Sequence, residues 1–74
     1  MEEEVLDWLA AKVGKESDEL DVEFNVEDAL EKSEEGRRAY LTDICKELEL
    51  ENAITEVCDI YLPKLKDLED YNKA

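Results

Sequence analysis

Ser33 is one of two serines in the chain and stands in the stretch DALEKSEEGRRAYL, residues 28–41. Its hydroxyl could cap the helix that follows, or it could be the attachment point for a group that a separate enzyme adds. The sequence contains no histidine and no CxxC pair, which excludes a zinc site and His-based acid, base or triad chemistry. Because the chain offers no base or oxyanion hole to activate the serine, we predict that the protein is not an enzyme.

The two cysteines, Cys45 and Cys58, each fall on the apolar face of a predicted helix. In such a position a free cysteine behaves as a small hydrophobic residue, although one bridge between the two is the alternative. We predict two buried, reduced thiols. The acidic start MEEEVLDW has the wrong charge for a targeting segment, and no apolar run approaches the roughly 20 residues of a membrane span. The sequence therefore predicts a cytoplasmic protein.

Four polar residues resemble the start of a calcium-binding loop in their spacing, namely Asp21, Glu23, Asn25 and Glu27. The pattern fails at its sixth position, where Val26 replaces the required glycine, and at its twelfth, where Lys32 replaces a bidentate glutamate. The sequence therefore predicts no metal ligands.

Acidic residues dominate the composition: 23 Asp and Glu oppose 9 Lys and Arg, which gives a net charge of -14 over 74 residues. The apolar fraction of 43% is still ordinary for a folded chain, and the length predicts a single small domain, residues 1–74, with a thin core. Binding to nucleic acid or to an anionic membrane needs clustered Lys and Arg. We therefore expect no direct binding to nucleic acid or to a membrane, and basic proteins as the partners. The protein itself is expected to be a monomer.

Helical periodicity predicts a first helix over about residues 2–13 and a second that begins after Ser33 and ends near residue 49. Between them, LDVEFNV alternates apolar and polar residues as a strand does. An isolated strand is not stable without a partner, such as a second copy in a dimer. Residues 15–27 are therefore predicted to form a long ordered loop anchored by Leu20 and Phe24.

Asn52 is predicted to cap a third helix that Pro63 ends or kinks, because proline lacks an N–H and clashes with the preceding turn. KLKDLEDY then forms a short fourth helix.

Trp8 is predicted to pack against a neighbour. Arg37 and Arg38 lie at the N-terminus of the second helix, where the macrodipole makes a positive charge unfavourable. We interpret them as solvated side chains that relieve the local acidity, and a functional role is the alternative. Nine side chains are predicted to form the core: Leu9, Val13, Phe24, Leu41, Ile44, Leu48, Ile54, Val57 and Leu68.

Four segments, in this order and spacing, resemble the acyl carrier proteins over essentially the whole chain: EEVLDWLAAKVG, FNVEDAL, KELELE and KLKDLEDY. The resemblance implies an all-α fold, a small four-helix acyl-carrier-like bundle with a long loop between helices one and two. It also implies that Ser33 carries 4'-phosphopantetheine, transferred from coenzyme A, and presents an acyl group to basic partner enzymes of fatty acid or polyketide biosynthesis. In the family the serine lies between Asp and Leu, whereas here Lys32 and Glu34 flank it.

Three functions are compatible with these observations. The first is a working carrier that presents a tethered acyl group. The second is an acidic inhibitor or nucleic-acid mimic that occupies the basic groove of a partner protein. The third is a degenerate carrier that acts through protein contacts alone.

Overall fold

The computed structural model of the protein describes residues 2–73 and contains four α-helices and no β-strand within that range. The helices are α1 (Glu2–Val13), α2 (Val26–Glu31), α3 (Glu34–Glu47) and α4 (Ile54–Lys73). Short 3-10 turns occupy Ser17–Glu19 and Glu51–Ala53. The predicted all-α class is confirmed, and α1 has the predicted bounds.

The segment between α1 and α3 is a loop that ends in a helix the sequence analysis missed. No strand forms at LDVEFNV within the described residues, as predicted, but α2 begins at Val26. Asn25 caps α2, since its Oδ1 accepts a hydrogen bond of 3.1 Å from the backbone N–H of Asp28. The Val26 N–H donates to a carboxylate oxygen of Glu2 at 3.0 Å, which ties the start of α2 to α1.

The predicted third and fourth helices are one continuous helix, α4, with Pro63 inside it. The prediction that Pro63 separates them is wrong, and so is the predicted cap, because Asn52 lies within a 3-10 turn. A helix can continue past proline when packing outweighs the lost hydrogen bond. Here Val57 and Tyr61 before Pro63 and Leu65 after it are all buried, so both halves of α4 share one buried face.

The core contains side chains from the four helices, the loop and the second 3-10 turn. Five of the nine predicted core residues are buried: Leu9, Phe24, Leu41, Ile44 and Val57. Three more are half-buried and pack against this core: Val13, Leu48 and Ile54. The prediction for Leu68 is wrong, because this half-buried side chain is not among those that pack against the core, whereas Leu65, three residues earlier, is fully buried in it. Trp8 packs edge-on against Tyr61, with ring centroids 6.4 Å apart, as predicted.

The end of α3 has a left-handed residue that is not glycine. Glu49 has φ 60, its N–H donates to the Lys46 carbonyl at 3.1 Å, and the Leu50 N–H donates to the Cys45 carbonyl at 2.7 Å. These two hydrogen bonds form a Schellman motif, in which glycine is the usual left-handed residue. At the end of α1 that position is taken by Gly14, with φ 73.

Candidate functional site

Ser33 lies at the joint between α2 and α3 and caps α3. Its backbone is extended, and its Oγ accepts a hydrogen bond of 3.1 Å from the N–H of Gly36. A Cβ on Gly36 would lie 3.1 Å from the Lys32 Cβ and 3.4 Å from the Ser33 Oγ, so glycine permits this close approach. Of the two roles that the sequence left open for Ser33, the structure shows the cap. The Ser33 side chain is exposed, whereas Ser17, in the first 3-10 turn, is half-buried.

Tyr40 connects this joint to the loop. Its ring stacks on Phe24, with centroids 5.3 Å apart and an angle of 21° between the planes. Its hydroxyl accepts a hydrogen bond of 2.9 Å from the N–H of Asn25, and the ammonium of Lys32 lies 5.4 Å from the ring centroid. The loop and the first half of α3 are therefore held together beside Ser33.

Arg37 is not solvated, and that part of the sequence interpretation is wrong. Only 2% of the residue is exposed. Its Nε donates to the Ala29 carbonyl at 2.9 Å, and its Nη2 donates to the Leu30 carbonyl at 3.0 Å and to a carboxylate oxygen of Glu69. A cation at the start of α3 is tolerated because the carbonyl end of α2 and a carboxylate from α4 surround it.

Arg38, by contrast, is exposed, as the interpretation of solvated arginines required. The sequence carried a signal for Arg37 in that its charge conflicts with the macrodipole of α3. That signal did not reveal its partners, because α2 was not predicted.

Residues 16–31 form an acidic segment that contains eight carboxylates and no Lys or Arg. All eight side chains are exposed, and none forms a salt bridge with Lys or Arg within the part of the chain that the structure describes. They are Glu16, Asp18, Glu19, Asp21, Glu23, Glu27, Asp28 and Glu31. The segment ends two residues before Ser33 and concentrates negative charge between Lys15 and Lys32, the two lysines that flank it.

Both cysteines are buried and unbridged, as predicted. Burial raises the pKa of Cys45 from its usual 9.0 to about 11, and the neighbouring Cys58 adds to the rise. Burial also raises the pKa of Cys58. Both thiols are therefore protonated at neutral pH and are poor nucleophiles.

Two of the four residues that resembled a calcium loop take part in the structure of the loop and of α2. Asn25 caps α2, and Glu23 lies in the loop that Tyr40 holds. Across residues 2–73, no three acidic or cysteine side chains are grouped so that they could hold a metal ion.

No protein-family profile, curated protein or solved structure matches this chain. The resemblance to acyl carrier proteins therefore stays a prediction from sequence motifs. Among the described helices, none has the length and apolar character needed to cross a membrane.

Proposed function

We propose that this protein acts without catalysis, by binding a basic surface of a partner protein. The observation that carries the proposal is the acidic segment, with its eight exposed carboxylates and no neighbouring cation in the same stretch. Two like charges about 6 Å apart in water repel each other by about 0.7 kcal/mol, and the repulsion accumulates over several pairs. Lys and Arg from a partner would relieve it and speed association over long range.

Two of the three functions predicted from the sequence, the nucleic-acid mimic and the degenerate carrier, are consistent with this mode of action. A nucleic-acid mimic presents regularly spaced carboxylates to the basic groove of its target. A degenerate carrier would contact basic partner enzymes in the same way. In each case the carboxylates bind and the chain needs no reactive group of its own.

The test is calorimetric titration of the whole chain with a lysine peptide of about 20 residues, at about 0.05 M and about 0.5 M salt. We expect binding at low salt that is largely lost at high salt. Neutralising three carboxylates of the acidic segment should weaken binding at least about threefold, and neutralising three exposed carboxylates elsewhere should weaken it less. The two triple variants are Asp21→Asn with Glu23→Gln and Glu31→Gln, and Asp70→Asn with Glu3→Gln and Glu51→Gln. Equal effects of the two would mean that net charge alone, and not this segment, binds the probe.

A working carrier is a second candidate, and the exposed Oγ of Ser33 at the start of α3 favours it. The exposed hydroxyl is compatible with 4'-phosphopantetheine attachment, whereas Lys32 and Glu34 differ from the Asp and Leu that flank the serine in the family. The base for this transfer would have to come from the transferase, because Ser33 has no activating group beside it.

Intact-mass measurement after co-expression with a broad-specificity phosphopantetheinyl transferase tests the carrier function. We expect little modification of the natural chain and one added phosphopantetheine in the Lys32→Asp/Glu34→Leu variant. Ser33→Ala in that background should abolish the addition, since Ser17 is half-buried in a 3-10 turn. If the doubly changed protein folds and stays unmodified, the carrier function is excluded and Ser33 is a cap alone.

A further inference from the structure

Three adjoining hollows form one groove along α3, from Ser33 to Leu50. The hollow beside Ser33 has a volume of about 440 Å³, and it shares Tyr40 and Asp43 with a second of about 420 Å³. The second shares Glu47 and two loop residues with a third of about 510 Å³, which reaches Leu50. The groove runs along α3 for about 20 Å, since an α-helix rises about 1.5 Å per residue. We call it the α3 groove.

The floor of the α3 groove is apolar in the second and third hollows, from Tyr40 to Leu50. Half-buried side chains of the loop and of α1 and α3 line it while packing against the core. They are Val13, Leu20, Val22, Tyr40 and Leu48. Tyr40 is held by its stacking on Phe24 and by its hydrogen bond to Asn25, so this wall is ordered before any partner arrives.

The rim of the α3 groove is acidic. Exposed carboxylates stand along both sides, and none of them forms a salt bridge within residues 2–73. They are Asp21, Glu23, Asp43, Glu47 and Glu49. Three lysines line the two ends of the groove. Lys32 packs over Tyr40 at one end, and Lys12, which pairs with Glu56, and Lys15 lie at the other.

We propose that the α3 groove binds a basic amphipathic helix of a partner protein, with apolar side chains on the floor and Lys or Arg on the rim. This inference rests on the proposed function and gives it a site. A polycation without apolar side chains would leave the apolar floor in contact with water. An apolar helix without cations would remove water from the rim carboxylates without giving them a positively charged partner. A second copy of this chain is a poor occupant, because each copy carries a net charge of -14. A helix about 20 Å long has about 14 residues and places anchors at i, i+3 or i+4, and i+7.

The probe is a synthetic peptide of about 14 residues with leucine at helical i, i+3, i+4 and i+7 spacing and lysine elsewhere. Its control is a scrambled peptide of identical composition. We expect the patterned peptide to bind at least about tenfold more tightly, which corresponds to about 1.4 kcal/mol. In nuclear magnetic resonance spectra of the whole chain, amide shifts should concentrate at residues 20–23 and 40–50. Val22→Ser should reduce the affinity for the patterned peptide to that for the scrambled peptide. Val26→Ser should not, because Val26 is half-buried but lies outside the groove.

The outcomes separate this inference from the proposed function. Equal binding of both peptides, with shifts spread over residues 16–31, would overturn the groove and leave the acidic surface as the binding element. Tight binding of the patterned peptide with shifts away from the groove would also overturn it. If neither peptide binds at low salt, the proposed function fails together with the groove.

Discussion

Replacing Arg37 should destabilise the protein more than any other change of a charged side chain. The guanidinium is 2% exposed and donates to the carbonyls of Ala29 and Leu30 and to Glu69. Arg37→Met keeps most of the volume and removes all of these bonds. The Ala29 carbonyl keeps its hydrogen bond of 3.1 Å from the Lys32 N–H, whereas the half-buried Leu30 carbonyl loses the one from Arg37. A buried acceptor left without a donor costs about 1–3 kcal/mol, and breaking a buried ion pair costs about 3–5 kcal/mol.

These contributions do not simply add, because the Glu69 side chain is 30% exposed and water can solvate it once Arg37 is gone. We therefore expect a loss of about 3–4 kcal/mol in the free energy of unfolding. At about 0.05–0.15 kcal/mol per residue, the whole domain is stable by only about 4–11 kcal/mol. Arg37→Met should accordingly leave about 0–8 kcal/mol of that stability and lower the urea midpoint of unfolding in proportion.

Urea unfolding, followed by the fluorescence of Trp8 and by circular dichroism, measures this change. The matched control is Arg38→Met, because Arg38 is adjacent and exposed and its replacement should change stability by less than about 0.5 kcal/mol. Arg37→Lys should fall between the two, since an ammonium keeps the charge but lacks the fork that reaches both carbonyls and Glu69. Equal unfolding midpoints for Arg37→Met and Arg38→Met would refute the assignment of Arg37 as the link between α2 and α4.

Four further perturbations test the loop anchor, the end of α3, a buried thiol and the rim of the α3 groove. Phe24→Ala should cost about 3–5 kcal/mol in urea unfolding, because the ring is buried and stacked on Tyr40; an unchanged melt would show that the loop is not anchored there. Glu49→Gly should raise stability by about 1 kcal/mol, since φ 60 is strained for a side chain with a Cβ, and a loss would contradict the Schellman assignment. Stability should fall as pH rises from about 9 to about 11, because burial raises the pKa of Cys45 and the thiol stays protonated only in the folded state; Cys45→Ala should reduce this dependence in urea titrations without abolishing it, since burial also raises the pKa of Cys58 and of Tyr61. Glu47→Lys with Glu49→Lys should slow association with the patterned peptide in stopped-flow measurements, and a rate insensitive to salt would rule out long-range attraction.

The helices that the sequence predicted correctly are those whose patterns are long enough to be read locally. The stripe of α1 ends at Gly14, and that of α3 begins at a serine whose cap chemistry is recognisable. α2 has only six residues, and the alternation of LDVEFNV runs into its start. Its stability depends on distant groups, chiefly Arg37 and Glu2, which no local pattern reveals.

The continuity of α4 is a second case in which a local sequence rule fails because tertiary packing overrides it. A proline normally argues for a helix end, and that local rule predicted two helices. What overrides it is the burial of Tyr61 and Leu65 on either side of Pro63, a tertiary property. The position of Ser33 at a helix start could be predicted from its neighbours, whereas the α3 groove could not, because its two walls are far apart in the chain.

The alternation at LDVEFNV explains both how the loop is anchored and why the groove is acidic. In an extended chain successive side chains point to opposite sides, so Leu20, Val22 and Phe24 turn toward the core while Asp21 and Glu23 turn outward. In a sheet, that alternation would turn the apolar face toward a packed layer and the acidic face toward water. Here α3 takes the place of the second layer, so the outward carboxylates form one rim of the groove and face Asp43 and Glu47 on the other. The apolar residues that anchor the loop thus also fix the backbone positions of its acidic residues, and a partner that binds the rim meets carboxylates whose backbone is already held in place.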